Sequence, residues 1–151
     1  MPLTRIGAGV ALCAALLGRS AEAQQSDGWD YRAPGMSRRA LEEVLARYDA
    51  AAESPAYSDG LRAWARADAD SIRMRLREGD LRVGGRVLLV VDGQAQLTDT
   101  FVVSQGRALV LPGIGSVALR GVLRSELEVH LAQSVDRVYR GAVVRARMLT
   151  R

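Results

Sequence analysis

The sequence predicts an α+β fold in which a helical hairpin precedes a small β-rich domain with one packed helix and a closing strand. Two observations predict it. Apolar residues recur at spacings of three and four over residues 37–78, and again from about residue 123, which is the helical period. Between these segments, from Glu78-Gly79-Asp80 onward, short apolar runs alternate with glycine-containing turns, which is typical of strands.

Residues 1–23 are typical of a cleavable secretory signal. Arg5 supplies the basic start, residues 6–17 are apolar or small, and Ala21-Glu22-Ala23 predicts cleavage after Ala23. The apolar stretch is about 12 residues long, whereas a helix needs about 20 to cross a bilayer core, so an uncleaved anchor is the less favoured alternative. The single cysteine, Cys13, lies in the segment to be removed and follows Leu12 instead of a small residue. We therefore expect neither a lipid anchor nor thiol chemistry in the mature chain.

Size and charge narrow the classes of function. Cleavage would leave 128 of the 151 residues, which suits one domain with some appended structure. All 21 basic residues are arginine, which we interpret as the codon bias of a GC-rich genome. The mature chain would carry 19 basic and 16 acidic residues, a net charge of +3, and the two signs are interleaved. This pattern favours a solvated surface over nucleic-acid binding.

Residues 24–36 mix Gly, Pro, Ser and Asp without a period, so we expect a flexible leader. Its aromatic residues, Trp29 and Tyr31, either dock on a partner or pack back on their own domain, and the second is the commoner case. Ser37 is a plausible cap for a helix that runs to about Ala52.

After Pro55, Ser58 caps a second helix, and the two helices form a hairpin over residues 37–78. Its apolar stripe contains one acidic residue, Asp68, and includes Leu61 and Trp64. Arginines alternate with acidic residues around the second helix, a pattern that we interpret as weak surface ion pairing. The residues concerned are Arg62, Arg66, Asp68, Asp70, Arg73 and Arg75.

The β-rich domain is predicted over residues 79–151. A short extended piece at 81–83 comes first, and the predicted strands are 86–91, 97–103, 108–111 and 116–120. Asp92-Gly93 is a hairpin signal, and Asp80, Asp92 and Asp99 stand where Asp commonly bonds the local backbone. A helix from about Leu123 presents an apolar stripe, and residues 143–148 form a closing strand at a sheet edge. That stripe comprises Leu123, Leu127, Leu131, Val135 and Val138.

No catalytic or metal-binding constellation is predicted. His130 is the only histidine, and one histidine without cysteine cannot build a typical zinc site. Residues 113–118 (GIGSVA) match the loose dinucleotide fingerprint, but a strand follows them where that motif requires a helix. The carboxylates give no credible acid and base pair. We therefore predict no cofactor, no metal and no enzyme activity.

The order of features from Leu76 to Leu149 resembles the N-terminal export domain of the bacterial polysaccharide biosynthesis and export proteins, the outer-membrane polysaccharide exporters. A Gly-Asp turn at Gly79-Asp80 precedes a strand, and residues 109–115 (LVLPGIG) lead to a further strand, then Gly121, a helix and the closing strand. The residues that carry the motif are Gly79, Asp80, Pro112, Gly115 and Gly121, all of which we interpret as folding residues. Leu123 replaces the usual Thr before the helix, with Ser125 the nearest possible cap, and Gln105-Gly106 replaces the usual Asp-Gly.

The resemblance implies a periplasmic, non-enzymatic component of capsule or exopolysaccharide export, possible outer-membrane association through a partner, and self-association. Its expected partners are polysaccharide and proteins of the export machinery. Full exporters continue into further sugar-facing domains and a pore helix, whereas this sequence ends at Arg151, so we expect no pore of that kind. The alternative is a periplasmic scaffold or interaction module that reuses the export domain for protein contacts.

Overall fold

Two antiparallel helices lead into the rest of the fold. The computed structural model describes residues 30–149, so the predicted signal at 1–23, Cys13 and Trp29 lie outside the described residues. Helix α1 spans Arg38–Glu53 and helix α2 spans Asp59–Glu78. Ser37 and Ser58 cap them as predicted, each accepting a hydrogen bond from a backbone N–H of the first turn.

The β-rich part contains two antiparallel sheets. Strands β1 (Arg86–Val91), β2 (Asp99–Val102) and β5 (Val144–Leu149) form a three-stranded sheet in the order β2-β1-β5. Strands β3 (Ala108–Leu111) and β4 (Gly115–Ala118) form a separate hairpin. Helix α3 spans Leu127–Asp136 after one 3-10 turn at Arg124–Glu126. The predicted α+β fold is therefore confirmed.

Several boundaries differ from the predictions. Residues 81–83 form no strand, because Gly84 and Gly85 turn the chain directly into β1 and bond to Val103. The predicted tight turn at Asp92-Gly93 is extended by a 3-10 turn at Ala95–Leu97, which delays β2 to Asp99. Val138, the last residue of the predicted stripe, lies beyond the end of α3 at Asp136 and is exposed.

Two apolar clusters hold the molecule together. The larger one lies between the three-stranded sheet, the β3–β4 hairpin and α3, with Leu89, Leu109 and Leu131 fully buried. The smaller one lies in the helical hairpin around Leu41 and Ile72. Leu123, which follows the β-hairpin in sequence, inserts into this second cluster. The two parts that the sequence divides at residue 79 thus pack as one compact unit from Tyr31 onward.

Among residues 30–149, the three-stranded sheet is covered on one face only. Val87, Leu89 and Val91 are buried against the larger cluster, whereas Leu88 and Val90, on the opposite face, are half-buried. The predicted edge position of the closing strand is confirmed, because β5 pairs with β1 alone and its Arg145 and Arg147 are exposed. No helix of the described residues is long and apolar enough to cross a membrane.

Candidate functional site

The five motif residues separate into two places. Gly79, Asp80 and Gly121 come together where the end of α2 meets the segment after β4, a contact that we call the joint. The Asp80 N–H donates to the Val122 carbonyl at 3.0 Å, and the Gly121 N–H donates to the Glu78 carbonyl at 3.1 Å. Pro112 and Gly115 lie apart from the joint, in the turn of the β3–β4 hairpin.

Gly79 allows the joint to close. Its φ is +76° and its ψ is −176°, a combination that is essentially restricted to glycine. A Cβ at this position would lie 2.4 Å from the carbonyl oxygen and 2.7 Å from the nitrogen of Val122. Backbone atoms cannot swing away as a side chain can, so any side chain here would push the two segments apart.

The Asp80 carboxylate accepts three hydrogen bonds at the joint. Its two carboxylate oxygens accept a bidentate pair of hydrogen bonds from Arg75, at 2.7 and 3.0 Å, and Oδ2 also accepts from the Arg124 N–H at 3.0 Å. The Arg75 guanidinium donates further to the carbonyls of Tyr31 and Ala33. The predicted surface role of Arg75 is wrong, because the side chains of Arg75 and Asp80 are only 13% and 12% exposed.

A second ion pair crosses the joint between Arg38 of α1 and Glu126. Arg38 donates to both Glu126 oxygens, at 2.8 and 3.0 Å, and to the Gly121 carbonyl at 2.7 Å. The hydrogen bond from Arg38 lowers the pKa of Glu126, and the backbone N–H of Leu123 adds to this effect against the cost of partial burial. Glu126 thereby caps the turn before α3. The predicted cap, Ser125, instead donates to the Met36 carbonyl.

Glu78, at the end of α2, forms a third set of ion pairs near the joint. Its carboxylate accepts hydrogen bonds from Arg120 at 2.9 Å and from Arg107 at 3.0 Å, and these arginines lower its pKa, with the Arg120 hydrogen bond as the largest cause. Arg107 has a φ of +53°, the only positive φ of a non-glycine residue in the described chain. Arg107 therefore has the backbone conformation that a glycine usually adopts in such a turn. Its guanidinium also donates a hydrogen bond to the Glu78 carbonyl at 2.9 Å.

Asp68 is the buried acidic residue of the hairpin. The Tyr31 hydroxyl donates to it at 2.8 Å, and Arg32 approaches it at 3.4 Å. Burial, followed by this hydrogen bond, raises the pKa of Tyr31. Of the two predicted alternatives for Tyr31, packing on its own domain is confirmed, whereas the surface role predicted for Asp68 is wrong. The interruption of an apolar stripe by an acid was the available signal of this burial.

An aromatic patch remains open at the tip of the hairpin. Tyr57, Leu61 and Trp64 are each about half exposed, although the sequence placed Leu61 and Trp64 on the buried stripe. The facing end of α1 is rich in alanine, which is too small to cover them. Trp64 makes one edge-to-face contact, with Tyr48 at 5.5 Å between ring centroids.

The uncovered face of the three-stranded sheet is basic. Three arginines, Arg86 of β1 and Arg145 and Arg147 of β5, point to it together with the half-buried Leu88 and Val90, and we call this surface the arginine face. Arg86 and Arg147 form no ion pair with another residue of the described range 30–149. Arg145 approaches Asp92 only at 3.7 Å. The sequence shows these arginines, but only the register places them side by side.

The residues considered for chemistry have structural contacts. His130 Nε2 lies 2.8 Å from the Ala118 carbonyl oxygen, to which it donates. Residues 113–118 form the β3–β4 turn and the strand after it, so the dinucleotide fingerprint is the glycine turn that its context predicts. Within residues 30–149, no group of three or more His, Cys, Asp or Glu side chains is arranged to hold a metal ion.

No known family model matches the chain, and no curated protein is significantly similar to it. The candidate sites are therefore judged on their own geometry. The charged side chains of the joint are paired with each other, whereas the aromatic patch and the arginine face expose side chains to solvent.

Proposed function

We propose that the protein is a periplasmic, non-enzymatic component of capsule or exopolysaccharide export. One observation supports this most directly. Three of the five residues that carry the resemblance to polysaccharide exporters, Gly79, Asp80 and Gly121, meet at the joint although more than 40 residues separate the first from the last. When residues of a motif that are distant in sequence contact each other in the fold, the motif supports the family resemblance more strongly than it would if its residues lay in unrelated turns.

The predicted secretory signal supports the periplasmic location, and the exposed arginine face gives such a component a surface for a polymer or a partner. The test is deletion of the gene followed by measurement of surface and secreted polysaccharide. We expect surface polysaccharide to fall, and to return when the wild-type gene is supplied on a plasmid. Normal polysaccharide in the deletion strain, with the protein shown to be expressed in the parent, would refute the proposal.

The same strains test the location. Fractionation should recover a mature chain that begins at Gln24 from the periplasm, and amino-terminal sequencing identifies that first residue. A chain that retains residues 1–23 in the cytoplasmic fraction would contradict the location, whatever the polysaccharide measurement gives.

A second candidate is a periplasmic scaffold that binds other proteins, and the aromatic patch favours it. Three neighbouring apolar side chains, of Tyr57, Leu61 and Trp64, stay exposed on a hairpin that otherwise buries its apolar stripe. The variant Leu61→Ser with Trp64→Ser separates the two candidates. If this double variant no longer binds an export protein but still binds polysaccharide, the scaffold function is favoured. If it still binds the export protein, the scaffold function is opposed.

A further inference from the structure

We infer that the arginine face binds an acidic polysaccharide through the carboxylates of its sugar units, an inference that rests on the proposed function and names the class of polymer. The sheet register carries the argument. Arg145 and Arg147 lie two residues apart on the same face of β5, so their Cα atoms are about 6.6 Å apart. Arg86 pairs with Leu149 and is therefore the diagonal neighbour of Arg147.

Charge complementarity indicates the sign of the ligand. Arg86 and Arg147 form no ion pair with described residues, and the contact of Arg145 with Asp92 is long and exposed. This arrangement contrasts with the joint, where Arg38, Arg75 and Arg107 each meet a carboxylate. A guanidinium matches a carboxylate with two parallel hydrogen bonds, so a row of exposed arginines with so little internal ion pairing fits a chain of carboxylates.

The floor of the face fits a sugar ring. A shallow groove of about 230 Å³ is lined by Leu88, Val90, Arg145 and Arg147, and by Ala146 and Glu128 at the strand edge. One carboxylate oxygen of Glu128 already accepts a hydrogen bond from the Ala146 N–H, and the three arginines of the face outnumber this single acid. Pockets that enclose a whole small ligand measure roughly 300–1,000 Å³, so this groove is suited to one unit of a longer chain. The apolar C–H face of a pyranose can lie on the two aliphatic side chains while its carboxylate reaches an arginine.

An acidic peptide is the competing ligand, and the structure disfavours its usual mode of binding. An extended peptide commonly adds to a sheet at an open edge strand, and β5 is the edge strand that carries Arg145 and Arg147. The outward N–H of Ala146, in the middle of that edge, donates to the Glu128 carboxylate at 3.1 Å. The side chain of Glu128 therefore occupies the edge, and an added strand would have to displace it.

The experiment measures binding of oligogalacturonate, a chain of uronic acid units, by calorimetry at low salt. We expect binding by the wild-type protein, weaker binding as salt rises, and no binding of neutral dextran. The double variant Arg145→Gln with Arg147→Gln should bind about tenfold more weakly, because it removes two exposed guanidinium groups that each contribute modestly to binding. The matched control, Arg39→Gln with Arg47→Gln on the exposed side of α1, removes the same charge and should bind as the wild type does.

Three results would overturn the inference. They are absence of oligogalacturonate binding, equal loss of affinity in both double variants, and binding of poly-L-glutamate at least as tight as that of oligogalacturonate. Circular dichroism of each variant shows whether it is folded, and Arg145→Lys with Arg147→Lys provides a version that keeps the charge but loses the bidentate geometry. We expect its affinity to lie between those of the wild type and the glutamine variant.

Complementation separates this inference from the proposed function. If the deletion strain loses surface polysaccharide and the Arg145→Gln, Arg147→Gln gene restores it fully, the inference fails and the proposed function stands. If the purified protein binds oligogalacturonate through these arginines while deletion leaves surface polysaccharide unchanged, the proposed function fails and the binding site stands.

Discussion

Replacement of Gly79 by alanine tests whether the joint holds the hairpin and the β-rich part together. Alanine at the φ and ψ of Gly79, a region nearly restricted to glycine, costs about 1–3 kcal/mol on conformational grounds alone. Its Cβ would also lie 2.4 Å from the Val122 carbonyl oxygen, so the two segments must separate. That movement endangers two backbone hydrogen bonds, between Asp80 and Val122 and between Gly121 and Glu78, worth about 0.5–1.5 kcal/mol each.

The total expected loss is about 2–6 kcal/mol of unfolding free energy, a large part of the stability of a domain of this size. Gly121→Ala is the matched control. Its φ of +77° imposes a similar conformational cost at the same joint, but the nearest atom to its Cβ would be the Arg77 carbonyl oxygen at 3.4 Å, an ordinary contact. We expect this control to lose about 1–2 kcal/mol.

Urea denaturation followed by circular dichroism measures both variants. The difference between them should be about 1–3 kcal/mol, the contribution of the two hydrogen bonds that the close approach weakens. Equal losses for Gly79→Ala and Gly121→Ala would show that conformational strain alone matters, and would refute the steric account of the joint.

Three further predictions concern single contacts. Arg38 lowers the pKa of Glu126, so this ion pair stabilises the fold fully above the unfolded pKa of about 4.3 and no longer does so once pH falls through the lower folded pKa. The melting-temperature difference between wild type and Glu126→Gln should therefore shrink from about pH 6 to about pH 3. A difference that stays constant over this range would contradict the ion pair. Tyr31→Phe should cost about 1–3 kcal/mol in urea unfolding because it removes the hydroxyl that donates to the buried Asp68, and a loss under 0.5 kcal/mol would contradict the buried bond. Both Arg107→Gly and Arg107→Ala remove the guanidinium, but the glycine variant should be the more stable by about 1 kcal/mol because φ is +53°, and the opposite order would contradict the left-handed geometry.

Much of the fold could be predicted because local chemistry determines it. Ser37 and Ser58 cap helices where the helical period begins, and residues 112–114 turn the β3–β4 hairpin as the proline and glycine indicate. The late start of β2 has its cause in tertiary packing. Where a segment after β1 is held by long-range packing, as at Leu97, its local alternation predicts a strand although the chain forms a 3-10 turn.

The joint itself could be predicted only in part. Gly79-Asp80 was recognisable as a stop for α2, but the sequence gives no indication that Val122 lies against Gly79 or that Glu126 meets Arg38, 88 residues away. Such contacts depend on how the two clusters pack, which no local period encodes. Asp68 is the exception, since an acid inside an apolar stripe must either disrupt the stripe or find a buried partner.

Arginine usage shows most clearly what the sequence leaves open. With no lysine in the chain, every cation has the same side chain, and the count alone indicates only base composition. Burial separates the roles, because Arg75 is almost enclosed with Asp80, whereas Arg147 is exposed on the sheet and forms no ion pair with another described residue. A cation that stabilises the fold requires an internal anion, and one that remains without such a partner at fixed sheet spacing is available to an external anion. This distinction, more than the net charge of +3 expected for the mature chain, directs the search for a ligand to the arginine face.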